Sequence, residues 1–139
     1  LVRRPETATG LAAGGAEICT ADIFEPRSMV AALAGCDIAV NLATNLPMPG
    51  EHGDFAANDR LRRDGVPLWL QSCREAGVRR VLQQSIALVH GGGADVLADE
   101  TTFVVPDVST VTGRAIAATL DMEAAVRASA LDWLILRGA

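Results

Sequence analysis

Twelve arginines carry the basic charge of this 139-residue chain, which has no lysine and no tyrosine. A Tyr–Lys proton-transfer pair, a Schiff-base lysine and a phosphate-loop lysine are therefore excluded within it. His52 and His90 are the only histidines, and only histidine titrates near neutrality without a perturbing environment. His90 directly precedes Gly91-Gly92-Gly93, which is followed by no lysine and no Ser/Thr-led helix, so the triple glycine is a connection and not a phosphate loop. Glu51, His52 and Asp54 form a polar cluster whose spacing follows no established metal pattern. Cys19, Cys36 and Cys73 are far apart, odd in number and form no CxxC. They read as buried reduced thiols, and the sequence gives no ground for a metal site. Ser85 lies among Gln83, Gln84 and Ile86, at the end of an apolar run. Asp121 and Glu123 lie together in an Ala-rich stretch, where salt-bridged structural roles are the ordinary expectation.

The elements that must position these groups alternate in type. Leu1-Val2 reads as the tail of a strand, and Glu17 to Thr20 as a short strand with its exit at Asp22-Ile23. Pro26 opens a helix that Gly35 closes. Asp37 to Leu42 is an apolar strand, followed by a loop from Asn45 to Gly53 punctuated by Pro47, Pro49 and Gly50. A helix is predicted over 55–76, turning Leu61, Leu68, Leu70 and Cys73 inward, with Gly77 at its C′ position. Val78 to Val89 holds a further buried strand, a helix covers about 112–129, and Leu131 to Leu136 is the last strand. The alternation predicts a single α/β unit, with right-handed crossovers and a parallel sheet covered on both faces. The net charge of −5, with no basic stripe, argues against a nucleic-acid partner. The uncharged stretch between Asp37 and Glu51 is too short and too polar to span a bilayer. With no signal pattern at the N-terminus, a cytoplasmic location is the expectation.

Six segments, in order, resemble the NAD-dependent epimerase/dehydratase branch of the short-chain dehydrogenase/reductase superfamily. They are Ala21-Asp22-Ile23, Val40-Asn41-Leu42-Ala43-Thr44, Ala76-Gly77-Val78-Arg79-Arg80-Val81, the run Gln84 to Gly91, Glu100-Thr101-Thr102, and the helix of Glu123 with Leu134-Ile135-Leu136-Arg137. The resemblance implies a Rossmann-like doubly wound parallel sheet, incomplete at both ends. The whole of 1–139 would be a partial NAD(P)-binding Rossmann domain, lacking the first strand and its glycine-rich turn and belonging to a longer protein.

It also implies roles. Arg3 and Arg4 fall beside the adenosine ribose, where arginine pairs with a 2′-phosphate, so NADP is preferred over NAD. Asp22 and Ile23 would contact the adenine, and Leu42, Ala43 and Thr44 the central part of the cofactor. A plain count puts Ile86 at the catalytic serine position and Ser85 one residue before it. Ser85 is the candidate catalytic and cofactor-contacting residue, with a buried structural hydroxyl as the alternative. The tyrosine and lysine positions fall on Ala115 and Thr119, which cannot transfer a proton at neutral pH. The implied function is that of an NAD(P)-binding oxidoreductase with its usual catalytic positions replaced, acting on a small-molecule substrate. The alternatives are a redox-sensing or otherwise non-catalytic dinucleotide module, and a fragment without independent activity. Homodimerisation through the two long helices is a further expectation of the resemblance.

Overall fold

The computed structural model describes residues 1–46, 55–91 and 99–138. Three parallel strands, β1 (Ile38–Asn41), β2 (Arg80–Ile86) and β3 (Asp132–Gly138), lie in the order β1-β2-β3. Parallel neighbours require a crossover, and helices supply both. Between β1 and β2 run α3 (Ala56–Arg60), a π-helical turn (Leu61–Gly65) and α4 (Val66–Glu75); between β2 and β3 runs α5 (Val111–Ala128). Ahead of the sheet come a 3-10 turn (Pro5–Ala8), α1 (Thr9–Ala13) and α2 (Pro26–Leu33). The α/β class and the parallel topology are as the alternation predicts.

The helix stops follow the glycines. Gly77 adopts φ +82°, with its N–H donating to the Arg74 carbonyl and the Val78 N–H to the Cys73 carbonyl, a Schellman end to α4. After α2 the chain leaves by a tight turn instead, with Gly35 at φ +80° and the Cys36 N–H donating to the Leu33 carbonyl at 3.0 Å. At the other end of a helix, Thr110 caps α5 by accepting from the Gly113 N–H at 2.9 Å.

Four expectations are corrected. The strand over 17–20 reduces to one parallel bridge, Val2 to Thr20, while the Ala- and Thr-containing run 5–13 forms helical turns that no periodic signal marks. The helix over 55–76 is not a uniform α-helix, because five of its residues are π-helical. Pro67 explains this physically: its ring crowds the carbonyl four residues back and offers that carbonyl no N–H, so the preceding turn widens. Within this rod Val66 and Trp69 are buried deepest with Leu70 and Cys73, whereas Leu68 is half-buried. Finally, β2 ends at Ile86, and Ala87–Val89 is a 3-10 turn before His90 bridges to Phe103.

The fourth correction concerns the sheet faces. One face is covered, where Ala39 and Val81 join Met29, Leu33, Val66, Trp69, Cys73, Met122 and Val126 in the core. On the opposite face Ile38, Val40, Leu134 and Leu136 are exposed, and Leu42 continues the apolar stripe beyond β1. Among the described residues the sheet is thus covered on one side only, and the apolar composition of both sides is what predicts two covers.

Candidate functional site

Strand polarity places the C-terminal ends of β1 and β2 side by side, with Asn41 paired to Gln83. There the buried Asn41 side chain donates to Gln83 Oε1 at 2.9 Å and accepts from the Ala43 N–H at 3.0 Å. These bonds hold the chain after β1 in a fixed turn. Thr44 then donates from its hydroxyl to Asn58 Oδ1 at 3.1 Å, and the Asn45 N–H donates to the same oxygen at 2.9 Å. A cavity of about 90 Å³ opens here between the strand ends and the crossover helices, lined by Ala43, Thr44, Arg62, Ser85, Ile86 and Met122 among others.

Of the residues singled out from sequence, Ala43, Thr44 and Ser85 meet in this cavity. Leu42 does not line it and is exposed on the open side of the sheet. Arg3 and Arg4 are exposed at the end of the Val2 bridge, with Ala21 of the bridged segment donating its N–H to the Val2 carbonyl. Asp22 and Ile23 follow directly after the bridged Thr20 and Ala21. Asp22 Oδ1 accepts from the Phe24 N–H at 2.9 Å, so one carboxylate oxygen serves the local turn. Ile23 leans on the π-helical turn: a Cβ on Gly65 would stand 3.2 Å from Ile23 Cγ2. The same turn carries Leu61 and Arg62 into the cavity, linking the two groups of residues.

Ser85 is buried, and its hydroxyl donates to Glu123 Oε1 at 2.6 Å. Glu123 is itself buried and accepts from Arg137 through Nε at 2.9 Å and Nη2 at 2.8 Å, and from Arg127 Nη2 at 2.8 Å. Burial alone would raise its pKa, but the bonds from Arg137, Ser85 and Arg127 outweigh it and hold the group at about 2. The Ser85 proton is therefore committed to a permanent carboxylate, and its oxygen is the part free to accept. Beyond Arg137, His90 Nε2 stands 3.5 Å from Arg137 Nη1 while Nδ1 is buried without a partner among the described residues. Asp121 pairs with Arg63 at 2.9 Å. On α5, Thr119 donates to the Ala115 carbonyl at 2.8 Å, and Arg62 Nη1 reaches the same carbonyl at 3.4 Å.

The cysteines correct one expectation, since Cys73 is buried but Cys19 is half-buried and Cys36 exposed; all three are free. Glu51, His52 and Asp54, like Gly92 and Gly93, lie outside the described residues. Among those described, no group of three or more His, Cys, Asp or Glu side chains converges to hold a metal ion. Two participants, Arg62 and Arg137, have no assigned part in the sequence reading. The signal for Arg62 is Pro67, which perturbs the helix just ahead of itself; for Arg137 it is an arginine ending an apolar strand.

The signature of the NAD(P)H-binding family matches residues 1–139. The chain belongs to that family. In three dimensions it is similar to a double mutant of the dTDP-glucose 4,6-dehydratase DesIV from Streptomyces venezuelae, solved with NAD bound: TM-score 0.69, 21% identity, over 84% of this chain and 36% of that one. It is also similar to gox2253, at TM-score 0.69 and 26% identity over 88% of this chain and 37% of the other. The NADPH complex of the Escherichia coli quinone oxidoreductase QOR2 superposes over 99% of this chain and 38% of its own, with TM-score 0.63 and 17% identity. The family member described here thus spans little more than a third of the length of these solved relatives. No curated protein matches it.

Proposed function

We propose that this NAD(P)H-binding chain supplies the adenosine-side and central cofactor contacts of an NADP-preferring oxidoreductase of the epimerase/dehydratase type. The observation that carries the reading is the single π-helical turn that supports Ile23 on one side and lines, on the other, the cavity formed with Ala43, Thr44 and Ser85. The residues fit a dinucleotide. Arg3 and Arg4 are exposed cations with no ion pair among the described residues, suited to a 2′-phosphate. Asp22 offers a carboxylate to an adenine amino group, Ile23 offers an aliphatic surface, and the small side chain of Ala43 admits close approach. A nicotinamide dinucleotide, when bound, supplies hydride exchange at a carbon centre. Around it, Ser85 offers an oxygen that accepts, Glu123 fixes the Ser85 proton, and Arg62 offers a donor. The substrate is a small molecule, the location is cytoplasmic, and the helices of the two crossovers supply the surface for a homodimer.

The test is a titration of NADPH and NADH fluorescence on the full chain. NADPH should bind at least tenfold more tightly than NADH, and Arg3→Ala with Arg4→Ala should remove that preference while leaving NADH affinity within threefold. Equal affinities in the wild type would overturn the NADP preference, and no binding of either would overturn the cofactor reading.

A second reading, a dinucleotide-responsive module without turnover, is favoured by one observation: the proton of the Ser85 hydroxyl, next to the Ile86 position, is held by Glu123. Tight NADPH binding with no oxidation of NADPH across a panel of carbonyl compounds supports it; turnover removes it.

A further inference from the structure

Several donors around the cavity beside Ser85 are already engaged. The Ser85 hydroxyl donates to Glu123, the Thr44 hydroxyl to Asn58, and the Gln83 amide to the Gln84 carbonyl at 2.7 Å. Gln84 also lines the cavity, from one of the exposed positions of β2 that alternate with the buried ones. Arg62 is different. Its guanidinium is half-buried, lines the cavity, and makes a single long bond, 3.4 Å from Nη1 to the Ala115 carbonyl. It forms no ion pair among the described residues, although Asp59 lies near enough for its charge to be felt. Every arginine of the larger depression formed by Phe55, Asp59, Arg60, Arg63, Asp64 and Arg114 is by contrast engaged: Arg60 with Asp64, Arg63 with Asp121, and Arg114 with the carbonyls of Val108 and Ser109.

Two further observations point the same way. One turn before Arg62, Asn58 is buried, its oxygen serving Thr44 and Asn45 while its Nδ2 has no partner among the described residues. Arg62 also sits in the π-helical turn, a local distortion that costs hydrogen-bond regularity and recurs at functional sites. A half-buried guanidinium with unused N–H groups is a costly arrangement unless something accepts from it.

We propose that Arg62 is the ligand-recognition residue of this site, holding an oxyanionic group, a carboxylate or a phosphate, in the cavity beside Ser85. The inference rests on the cofactor reading for its setting, and two sources carry this chemistry: a carboxylate of the substrate or a phosphate of the dinucleotide. The guanidinium fork matches either with two parallel N–H···O bonds, and lysine does not reproduce it.

Calorimetric titrations of the full chain with oxalate, inorganic phosphate and NADPH decide it, comparing wild type with Arg62→Met and Arg62→Lys. Loss of oxalate binding by tenfold or more in Arg62→Met, with NADPH affinity held within threefold, assigns the group to the substrate. A tenfold loss for phosphate and NADPH with oxalate unchanged assigns it to the cofactor. In either case Arg62→Lys should fall at least fivefold below wild type, and it carries the test alone if Arg62→Met does not fold. Unchanged affinities in the variants overturn the proposal, as does a wild-type chain that binds none of the three probes at millimolar concentration. Wild type that binds oxalate or phosphate but not NADPH, with the loss on substitution, sinks the cofactor reading while leaving the Arg62 assignment standing.

Discussion

Glu123 shows how one buried carboxylate can organise a site. Its two oxygens take four bonds, from Ser85, Arg127 and both ends of the Arg137 fork, so the charge is fully solvated by protein. Removing that charge strands two arginines, and Glu123→Gln should cost about 3–5 kcal/mol, read from urea unfolding at pH 7. The pH dependence has a definite sign. A carboxyl held at about 2 in the folded state, against an ordinary 4.5, contributes stability that is complete above about pH 5 and lost as pH falls toward 2. Urea midpoints should therefore drop between pH 5 and pH 2.5 in wild type and far less in Glu123→Gln. The thiols separate in the same way: burial, with Cys36 nearby adding to it, pushes Cys73 up to about 12. A thiol reagent at pH 8 should label exposed Cys36 rapidly, and Cys73 only on the timescale of unfolding, as mass spectrometry of peptides would show. At this scale the sequence is a partial guide. Ser85, Ala43 and Thr44 line one cavity, but the partner that binds the Ser85 proton lies 38 residues away, and no local spacing encodes that pairing.

Helix ends are the most legible feature of the elements, because a glycine with positive φ or a capping threonine acts through its immediate neighbours alone. Gly35, Gly77 and the Pro26 helix start are all readable that way. What happens inside the rod 56–75 is not, since periodicity cannot distinguish an α-turn from a π-turn and only Pro67 hints at the change. The N-terminal helical turns escape for a related reason: α1 has five residues, none buried, and so carries no apolar period to detect. Gly113 illustrates a constraint of a third kind. A Cβ there would collide with the Asp107 carbonyl, which the loop ahead of α5 lays across the first helical turn. Gly113→Ala should lose about 1–3 kcal/mol by overpacking, while Thr110→Ala, which removes only the cap, should lose about 1 kcal/mol. Equal losses from the two in thermal unfolding would mean that the loop yields freely and that the close approach is not binding.

Across the whole molecule the sheet is two-faced. One side is sealed by α2, α4 and α5, and the other presents Ile38, Val40, Leu134 and Leu136 to solvent beside an edge of β1 that is unpaired among the described residues. Patches of that kind are rare on isolated domains. The native chain should bind an apolar dye strongly at pH 7, and Val40→Lys with Leu134→Lys should abolish most of that fluorescence without loss of the cooperative melt. Unaltered dye binding would place the apolar surface elsewhere. The composition of the strands foretells two covers, and nothing in residues 1–139 distinguishes a face covered by its own chain from one left open. The parallel register has a consequence of another sort, in time. Asp37 meets Arg79 across 42 residues, and Arg80 meets Asp132 across 52, so no two strands can touch until a whole crossover has been drawn in. Contacts so remote in sequence make for slow assembly, on the order of milliseconds to seconds, with helical signal rising before the tryptophan environment of Trp69 and Trp133 settles. In stopped-flow refolding the far-ultraviolet and fluorescence traces should then run at separate rates, and the molecule would spend its early life as helices awaiting a sheet.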